Sequence, residues 1–311
     1  MTGQKYLYNY KTKTMKTLKD IKNILVIGSG TMGLRIALAS ALNGYKVTIY
    51  DIKEKAFKPA KKIQDSLLKT LIKAGTITEE DGRKALLNLT FTTDAKLAAA
   101  DADLVSESVT EDIELKKKVW SQFGKLCPEK TIFTTNTSSL LPSKFAEETG
   151  RPERFCALHF HDVFYANVVD IMPNPKTAPW IIDLLKDYGE SIQQTVVIMK
   201  RESPSYIFNA MLLSLLGAAG ALVTFDVASI EDVDRSWMGN FKMPMGPFGI
   251  IDEIGLDTAW HVVRVFKDEK SKRFSKLLKS YLDQGKLGRK TGEGFYNYPN
   301  PRFIEEDFIK G

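Results

Sequence analysis

The first two thirds of the chain alternates between short apolar runs and longer amphipathic stretches. Residues 24–27 form a continuous apolar run that ends at a glycine, which indicates a strand buried on both faces. A helix is predicted for about residues 31–42, with Gly44 in the position where helices commonly end. Residues 46–50 predict the next strand, so this region forms a strand–helix–strand unit.

The same alternation continues after residue 50. Residues 55–74 predict a long lysine-rich helix, residues 78–87 a second helix and residues 113–123 a third. Further strands are predicted at residues 90–92, 104–105, 131–134, 155–159, 168–172 and 195–199. Strands that alternate with helices are typical of a doubly wound, Rossmann-type α/β domain.

The pattern changes near residue 204, after which helical periodicity dominates and strand signals vanish. We therefore predict a basic N-terminal extension at residues 1–20, a Rossmann-type domain at 21–203 and an all-helical C-terminal domain at 204–311. Residues 206–225 are apolar enough to resemble a membrane span, but Asn209 and Ser214 interrupt them. A buried core helix or a dimer helix is the better interpretation, and no membrane association is expected.

The composition is that of an ordered globular protein. Of 311 residues, 43% are hydrophobic and 26% are charged. A chain of this length and hydrophobic content can form two hydrophobic cores. The net charge of +6 suits anionic small molecules as well as nucleic acid, but the lysines are not interleaved with aromatics, so no nucleic acid partner is expected. Cys127 and Cys156 lack metal-ligand spacing, and no metal site is predicted. No apolar signal segment is evident, and a cytoplasmic location is expected.

Three glycines follow the first predicted strand and lead into the first predicted helix. Gly28, Gly30 and Gly33, with Thr31 and Met32 between them, form a G-x-G-x-x-G signature in the context that dinucleotide binding requires. We expect Gly28 to allow a tight turn, Gly30 to let the backbone approach a pyrophosphate, and Gly33 to permit close packing of helix on strand.

Asp51 ends the second predicted strand, where dinucleotide-binding folds place the residue that contacts the ribose. A carboxylate accepts hydrogen bonds from a 2′-hydroxyl and repels a 2′-phosphate. Lys53 is near, but no arginine stands beside Asp51. The sequence therefore predicts NAD, rather than NADP, as the cofactor.

The three histidines of the chain are the candidates for a general base in alcohol oxidation. His159 ends a predicted strand, which is where reactive groups lie next to the cofactor in this fold. A lone histidine at a strand end is structural in about half of cases, so the position of His159 fits a structural role as well as a catalytic one. His161 and His261 are more readily interpreted as structural residues.

Six segments occur in an order that resembles one enzyme family. They are residues 28–33, Asn-Thr-Ser-Ser-Leu at 136–140, Leu-His-Phe at 158–160, Asn209, Pro-Met-Gly-Pro-Phe at 244–248, and Gly-Arg-Lys-Thr-Gly-Glu-Gly-Phe-Tyr at 288–296. From about residue 20 to residue 298 the chain resembles the L-3-hydroxyacyl-CoA dehydrogenase family. The last two segments are the most distinctive, because no general rule of nucleotide binding requires them.

The resemblance implies a role for each matching residue and a homodimer for the whole protein. His159 corresponds to the catalytic base, Ser138 to a serine that hydrogen-bonds the substrate 3-oxygen, and Asn209 to a second-domain asparagine that helps to hold the substrate. The residues that correspond to positions near the cofactor are Glu111, Lys116 and Asn136. Without the resemblance, residues 136–139 could equally form a polar turn that caps the next helix.

Several positions depart from the family pattern. After His-Phe the family has Phe-Asn-Pro-Val, whereas this chain has His-Asp-Val-Phe at 161–164. The glutamate expected to pair with the base is Asp170, which is one methylene shorter, and Asp162 is a rival partner. Ser205 and Ala210 replace a glycine and an arginine. We expect these changes to affect the acyl pocket more than the type of reaction.

Lysines on the long predicted helix form a candidate site for the phosphates of coenzyme A. Lys62, Lys69 and Lys73 share one face at helical spacing. A solvated basic face without a ligand is the commoner case, and it remains the alternative.

The resemblance and the residues together predict an NAD-dependent oxidoreductase that interconverts (S)-3-hydroxyacyl-CoA and 3-oxoacyl-CoA. His159, oriented by Asp170, is the expected base, with an acyl-CoA as the small-molecule substrate. One alternative is a dehydrogenase of the same fold that acts on a free hydroxy acid, such as a sugar acid or a carnitine-like compound. The other is a non-catalytic NAD-binding protein.

Overall fold

The computed structural model describes residues 17–310. Of the basic extension predicted for residues 1–20, residues 1–16 lie outside the described residues, and Leu18–Asp20 form a single 3-10 turn. Contacts between residues divide the chain into one unit that ends at Ile207 and a second that begins at Phe208. The predicted division at residues 203 and 204 lies close to this point.

The first unit is built on an eight-stranded sheet. Its strands are β1 (Asn23–Ile27), β2 (Lys46–Tyr50), β3 (Leu89–Thr92), β4 (Leu104–Glu107), β5 (Ile132–Thr135), β6 (Phe155–Phe160), β7 (Val168–Pro173) and β8 (Thr195–Ile198). They lie in the order β3-β2-β1-β4-β5-β6-β7-β8. Neighbours from β3 to β6 are parallel, whereas β7 runs antiparallel to β6. The predicted doubly wound sheet is confirmed, and the reversal after β6 is an addition to it.

Six helices pack on this sheet and give it two cores. They are α1 (Thr31–Leu42), α2 (Phe57–Lys73), α3 (Glu79–Leu87), α4 (Ala95–Ala99), α5 (Ile113–Leu126) and α6 (Pro179–Ser191). Alternate residues of β1 belong to different cores: Val26 packs in the cluster that includes α1, and Leu25 packs in the cluster that includes α5. The two-sided burial predicted from the apolar run is therefore confirmed, and it follows from the period of two along a strand.

The second unit is helical. Its helices are α7 (Phe208–Thr224), α8 (Ile230–Phe241), α9 (Pro247–Ile254), α10 (Leu256–Val263) and α11 (Glu269–Leu282). Ser229 is the N-cap of α8 and Asp268 is the N-cap of α11. The side chain of each accepts a hydrogen bond from a backbone N–H of the first turn. The predicted all-helical C-terminal domain is confirmed.

Two buried carboxylates explain why the second unit needs its two most distinctive sequence segments. Asp234 on α8 accepts hydrogen bonds from the backbone N–H groups of Phe248, at 2.8 Å, and Gly249, at 3.0 Å, which open α9. A Cβ at Gly246 would lie within 2.5 Å of the Asp234 side chain, so this position has to be glycine. Burial raises the pKa of Asp234 to about 6 in spite of these donors.

Asp252 on α9 is the second buried carboxylate, and it binds backbone N–H groups of residues 288–296. Its carboxylate accepts hydrogen bonds from the backbone N–H groups of Phe295 and Tyr296, both at 2.8 Å. A Cβ at Gly294 would lie 2.1 Å from Oδ1 of Asp252. The segment therefore wraps a buried acid, and Gly288 and Gly294 are required by their close approach to Asp252.

The apolar segment at residues 206–225 contains helix α7. Only Leu216, Ala219 and Gly220 of this helix are buried, and Met211 is 61% exposed. Its interpretation as a core helix is therefore wrong for most of its surface, and the dimer-helix alternative stays a prediction. Among the described helices, none is long and apolar enough to cross a membrane.

Candidate active site

The carboxyl ends of β1, β2, β4, β5 and β6 meet at one edge of the sheet, because these strands are parallel. Most of the residues predicted from the sequence to bind the cofactor follow these strands, whereas Lys62 and Lys69 lie on α2 and Lys116 lies on α5. Ligands of doubly wound folds bind outside this edge.

The turn after β1 has the shape that its glycines predict. Gly28 has a φ of +107°, and a Cβ there would lie 2.7 Å from the carbonyl oxygen of Ser108. A Cβ at Gly33 would lie 2.1 Å from the carbonyl oxygen of Gly28, so the helix packs directly on the turn. Gly30 is the N-cap of α1 and is exposed, with open space where a Cβ would project.

The first turn of α1 is accessible to an anion. Thr31 is exposed and Met32 is half-buried, and both follow the cap at Gly30. Unpaired backbone N–H groups and the helix dipole make such an N-terminus favourable for phosphate. These features fit the pyrophosphate of a dinucleotide.

Asp51 lies immediately after β2, and its carboxylate is held in place from two sides. Oδ2 accepts hydrogen bonds from the backbone N–H of Ser29, at 3.0 Å, and from its hydroxyl, at 2.7 Å. Oδ1 accepts from the backbone N–H of Lys53 at 3.1 Å. The acid is thus fixed beside the glycine turn, where a ribose hydroxyl requires an acceptor.

A buried ion pair lies behind the ends of β4 and β5. The amine of Lys116 donates to Oε1 of Glu107 at 2.7 Å, and both side chains are at most 1% exposed. Glu107 also accepts hydrogen bonds from the hydroxyl of Thr135 and the backbone N–H of Val109. Because every charge is paired and hydrogen-bonded, this group is a rigid support for the loops that follow both strands.

Glu111 holds the turn that contains Ser138. Its Oε1 accepts hydrogen bonds from the hydroxyl of Thr137, the backbone N–H groups of Ser138 and Ser139, and the hydroxyl of Ser139. Burial raises the pKa of Glu111, but the Thr137 hydrogen bond and the charge of Lys116 outweigh burial and hold the pKa below its usual range. Ser138 itself is exposed, so its position is set through its backbone.

Asn136 connects the ends of two neighbouring strands. It follows β5, and its Oδ1 accepts a hydrogen bond from the backbone N–H of Phe160 at 2.8 Å. Thr137 then closes a local turn, since its hydroxyl accepts from the backbone N–H of Leu140 at 3.0 Å. The polar turn considered for these residues is therefore present, but it does not cap the next helical element, which spans Pro142–Lys144 with Leu141 as its N-cap. The turn does not conflict with a binding role for Asn136 or Ser138.

His159 lies opposite Asp170 because of the antiparallel register of β6 and β7. Nδ1 of His159 is 3.4 Å from Oδ2 of Asp170, and Nε2 of His161 is 2.9 Å from the same oxygen. His159 and Asp170 are buried, and His161 is half-buried. The three groups lie within 4.8 Å of one another.

Asp170 is charged in this arrangement. Burial raises its pKa, but hydrogen bonds from His159 and His161 outweigh burial and lower the pKa to about 2. An ionised carboxylate only accepts hydrogen bonds, so the ring nitrogens that face it are donors. In the neutral form of the His159 ring, a donating Nδ1 leaves the lone pair on Nε2.

Tyr206 packs against His159 and was not found by sequence reasoning. The two ring centroids are 4.5 Å apart, and the Tyr206 hydroxyl donates to the carbonyl oxygen of Thr137 at 2.7 Å. Burial raises the pKa of Tyr206 above its usual range, so the hydroxyl stays protonated. Tyr206 and Ser205 both have a left-handed backbone, with φ of +56° and +63°. Ser205 therefore occupies the glycine position of the family pattern in a conformation that favours glycine.

The loop after β6 is connected to α1. Asp162 accepts a hydrogen bond at Oδ2 from the guanidinium of Arg35, and at Oδ1 from the backbone N–H of Tyr165. Asp162 is thus the partner of Arg35, and its interpretation as a rival partner of His159 is wrong. Val163 is buried with a φ of +85°, which is a strained conformation for a β-branched residue.

The remaining predicted residues lie elsewhere. Lys62 and Lys69 are exposed on α2, two turns apart. Asn209 belongs to the second unit and is half-buried in the first turn of α7. His161 and Arg35 join the site without having been predicted. The spacing of two between His159 and His161 on a strand was the available signal for His161, because such residues share a face.

The Rossmann-type sheet carries, at one edge, a glycine turn that fits a pyrophosphate and an imidazole–carboxylate pair. These two features define the class of nicotinamide-dependent dehydrogenases. Residues 23–203 match the family model of the 3-hydroxyacyl-CoA dehydrogenase NAD binding domain, and residues 206–298 match that of the C-terminal domain. The chain therefore belongs to the 3-hydroxyacyl-CoA dehydrogenase family, and it is an NAD-dependent oxidoreductase.

Individual relatives agree with this assignment. The mitochondrial hydroxyacyl-coenzyme A dehydrogenase of Rattus norvegicus is 35% identical, over 89% of this chain and 91% of its own. The structure of (S)-3-hydroxybutyryl-CoA dehydrogenase from Ralstonia eutropha is similar with a TM-score of 0.80 at 31% identity, covering 90% of this chain and all of that one. A diketoreductase described as acting on dicarbonyl compounds has a TM-score of 0.86 at 38% identity, covering 89% and 99% of the two chains.

Proposed function

We propose that this enzyme interconverts (S)-3-hydroxyacyl-CoA and 3-oxoacyl-CoA thioesters, with His159 as the general base. The observation that supports the proposal is the pairing of His159 Nδ1 with the charged carboxylate of Asp170, because in the neutral imidazole this pairing makes Nε2 the proton acceptor. The names of the relatives support the thioester as the substrate class.

The proton steps are assigned to residues of this chain. In the oxidative direction Nε2 of His159 takes the proton of the 3-hydroxyl group, and Asp170 stabilises the imidazolium that forms. NAD bound at the glycine turn supplies the hydride acceptor. Ser138 donates a hydrogen bond to the forming 3-oxo group. In the reductive direction the same imidazolium returns its proton to the alkoxide oxygen.

Of three further parts of the proposal, the first two rest on the family resemblance and the third on the helical spacing of lysines on α2. Glu111, Lys116 and Asn136 arrange the loops around the cofactor, either directly or through the hydrogen bonds described above. Asn209 assists in holding the substrate oxygen. Lys62 and Lys69 bind the phosphates of coenzyme A. A homodimer, a cytoplasmic location and a place in fatty acid metabolism complete the proposal.

The first experiment measures NADH oxidation with acetoacetyl-CoA beside free acetoacetate. We expect turnover with the thioester and at least a tenfold lower kcat/KM with the free acid, about 1.4 kcal/mol of transition-state binding. Equal or faster turnover of the free acid would contradict the substrate class. No turnover of either, together with NADH binding, would favour the non-catalytic alternative.

One second candidate has its own support, namely the reduction of a dicarbonyl compound that lacks coenzyme A. The diketoreductase is the relative with 38% identity, and this chain departs from the family pattern at residues 161–164 next to His159. A dicarbonyl compound without coenzyme A, assayed under the same conditions, tests this candidate. A kcat/KM above that of acetoacetyl-CoA would establish it in place of the thioester.

A further inference from the structure

Asp170 serves two imidazoles instead of one. His161 follows the last residue of β6, two positions after His159, and both rings lie close to Asp170, which β7 places opposite His159. The distance from Oδ2 of Asp170 to His161 Nε2 is 2.9 Å, and the distance from Oδ2 to His159 Nδ1 is 3.4 Å. His161 therefore makes the shorter and stronger hydrogen bond to the shared oxygen.

The sharing has a chemical consequence for His159. An imidazole becomes a better base when its N–H donates to a carboxylate, because the negative charge stabilises the imidazolium. A carboxylate oxygen that already accepts a short hydrogen bond has less charge available for a second donor. Protonation of His161 would also place a positive charge on a ring whose centroid is 4.8 Å from that of His159. Both effects oppose protonation of His159.

We propose that His161 is a positioning residue of the reaction, which acts through Asp170 and limits how strongly that carboxylate supports proton uptake by His159. The inference rests on the proposed role of His159 as base. The departure from the family pattern at residue 161 then has a specific effect, which is a change in the pH range of the reaction.

Charged and titratable groups from neighbouring elements lie near His159 and His161. On the same loop, Asp162 is paired with Arg35 of α1, so its charge is compensated. Tyr206 stacks on His159 from the segment ahead of α7 and stays protonated. Asp170 is the acid that β7 contributes.

The test compares wild-type enzyme with His161→Phe and His161→Gln. Phenylalanine keeps a ring and removes both the donor and the charge, whereas glutamine keeps an N–H donor and cannot take a proton. The pH dependence of kcat/KM for oxidation is measured for each, with EDTA in the buffer to keep transition-metal ions off the imidazoles. In His161→Phe we expect the midpoint of the rising limb to move to higher pH by about one unit, with KM for NAD unchanged.

A second measurement needs no substrate. The chain has three histidines, so the imidazole NMR signals can be assigned by comparing wild-type with His159→Gln, His161→Phe and His261→Phe. His261 is the matched control, because its Nδ1 bonds the backbone carbonyl of Asp257 instead of a carboxylate. We expect the titration midpoint of His159 to rise in His161→Phe, to rise less in His161→Gln, and to stay in place in His261→Phe.

The two measurements separate this inference from the proposed function. An unchanged His159 titration in His161→Phe overturns the inference, even if the enzyme is an active thioester dehydrogenase. Loss of activity in His161→Phe at every pH, with no shift of the profile, also overturns it and assigns His161 a structural role. An absence of thioester turnover in the wild-type enzyme overturns the proposed function, and the NMR titration then still decides whether the two imidazoles are coupled.

Discussion

At the scale of single residues, the site depends on how two side chains are held. His159 is fixed by Asp170 on one side and by the ring of Tyr206 on the other. Ser138 is fixed through its backbone, which Glu111 binds. Small changes of these partners therefore affect turnover more than they affect the binding of NAD, because the glycine turn and Asp51 are built from other strands.

Replacement of His159 tests the general base directly. In His159→Gln we expect kcat to fall by about 10²–10⁴-fold, because glutamine keeps the size of the side chain but accepts no proton at neutral pH. The Kd for NADH, measured by fluorescence titration, should stay within about threefold of wild-type, since no part of the nucleotide turn changes. Near-normal turnover in this variant would show that another group is the base.

Asp170 makes a prediction for the pH dependence of stability. Its pKa is lowered from 3.8 to about 2 in the folded protein, so the unfolded chain binds its proton first as the pH falls. The stabilisation by Asp170 is therefore complete above about pH 5 and is lost as the pH falls towards 2. Between about pH 5 and pH 3 we expect the stability difference between wild-type and Asp170→Asn to shrink by about 1 kcal/mol.

Urea unfolding at several pH values measures this difference. Asp183→Asn, an exposed substitution on α6, controls for the general effect of removing a carboxylate. A difference between wild-type and Asp170→Asn that is independent of pH would contradict the lowered pKa.

At the scale of elements, α2 is the part of the first unit whose function the sequence left most open. Its buried face is formed by Ala60, Gln64, Leu67, Leu68 and Leu71. Lys62 and Lys69 are on the exposed side, so they contribute nothing to the core and are available to a ligand. A solvated basic face and a coenzyme A site both fit this placement.

Charge reversal on α2 distinguishes these two possibilities. In the double variant Lys62→Glu/Lys69→Glu we expect KM for the thioester to rise by about tenfold, because two attractions to phosphate become repulsions. The kcat and the KM for NADH should not change. Lys118→Glu/Lys125→Glu on the exposed face of α5 makes the same change in net charge and is the matched control. Equal effects of both double variants would assign the change to net charge alone.

At the scale of the whole molecule, the second unit has an apolar surface that a single chain leaves in water. Helix α7 has Met211 61% exposed and Leu222 42% exposed, and Val227 just after it is 67% exposed. Contiguous apolar surface on a folded protein commonly marks an interface. This exposure supports the proposed homodimer, since a second copy would cover the same surface in both chains.

A charge introduced on α7 tests the dimer. In Met211→Glu we expect dissociation to a species of about 35 kDa in light scattering, since a carboxylate would be buried without a partner at the interface. Ser280→Glu on the exposed side of α11 adds the same charge as a control. A wild-type protein that is already monomeric at micromolar concentration would exclude the homodimer.

The sequence by itself determined the features that local chemistry controls. Apolar periodicity was sufficient for β1, α1 and β2, because burial on two faces or on one face leaves a direct pattern. The left-handed turn at Gly28 and the close packing at Gly33 were predicted for the same reason, since only glycine permits them. Together with Asp51, they predicted the Rossmann-type fold and NAD.

The tertiary structure decided which side chains share a site. The reversal of direction between β6 and β7 places Asp170 opposite His159 and within reach of His161, and Asp162 turns instead to Arg35 on α1. Glu111 binds a turn 26 residues further along the chain. Strand direction and side-chain pairs between distant residues depend on many contacts that are far apart in sequence. They therefore cannot be predicted from a local pattern of residues.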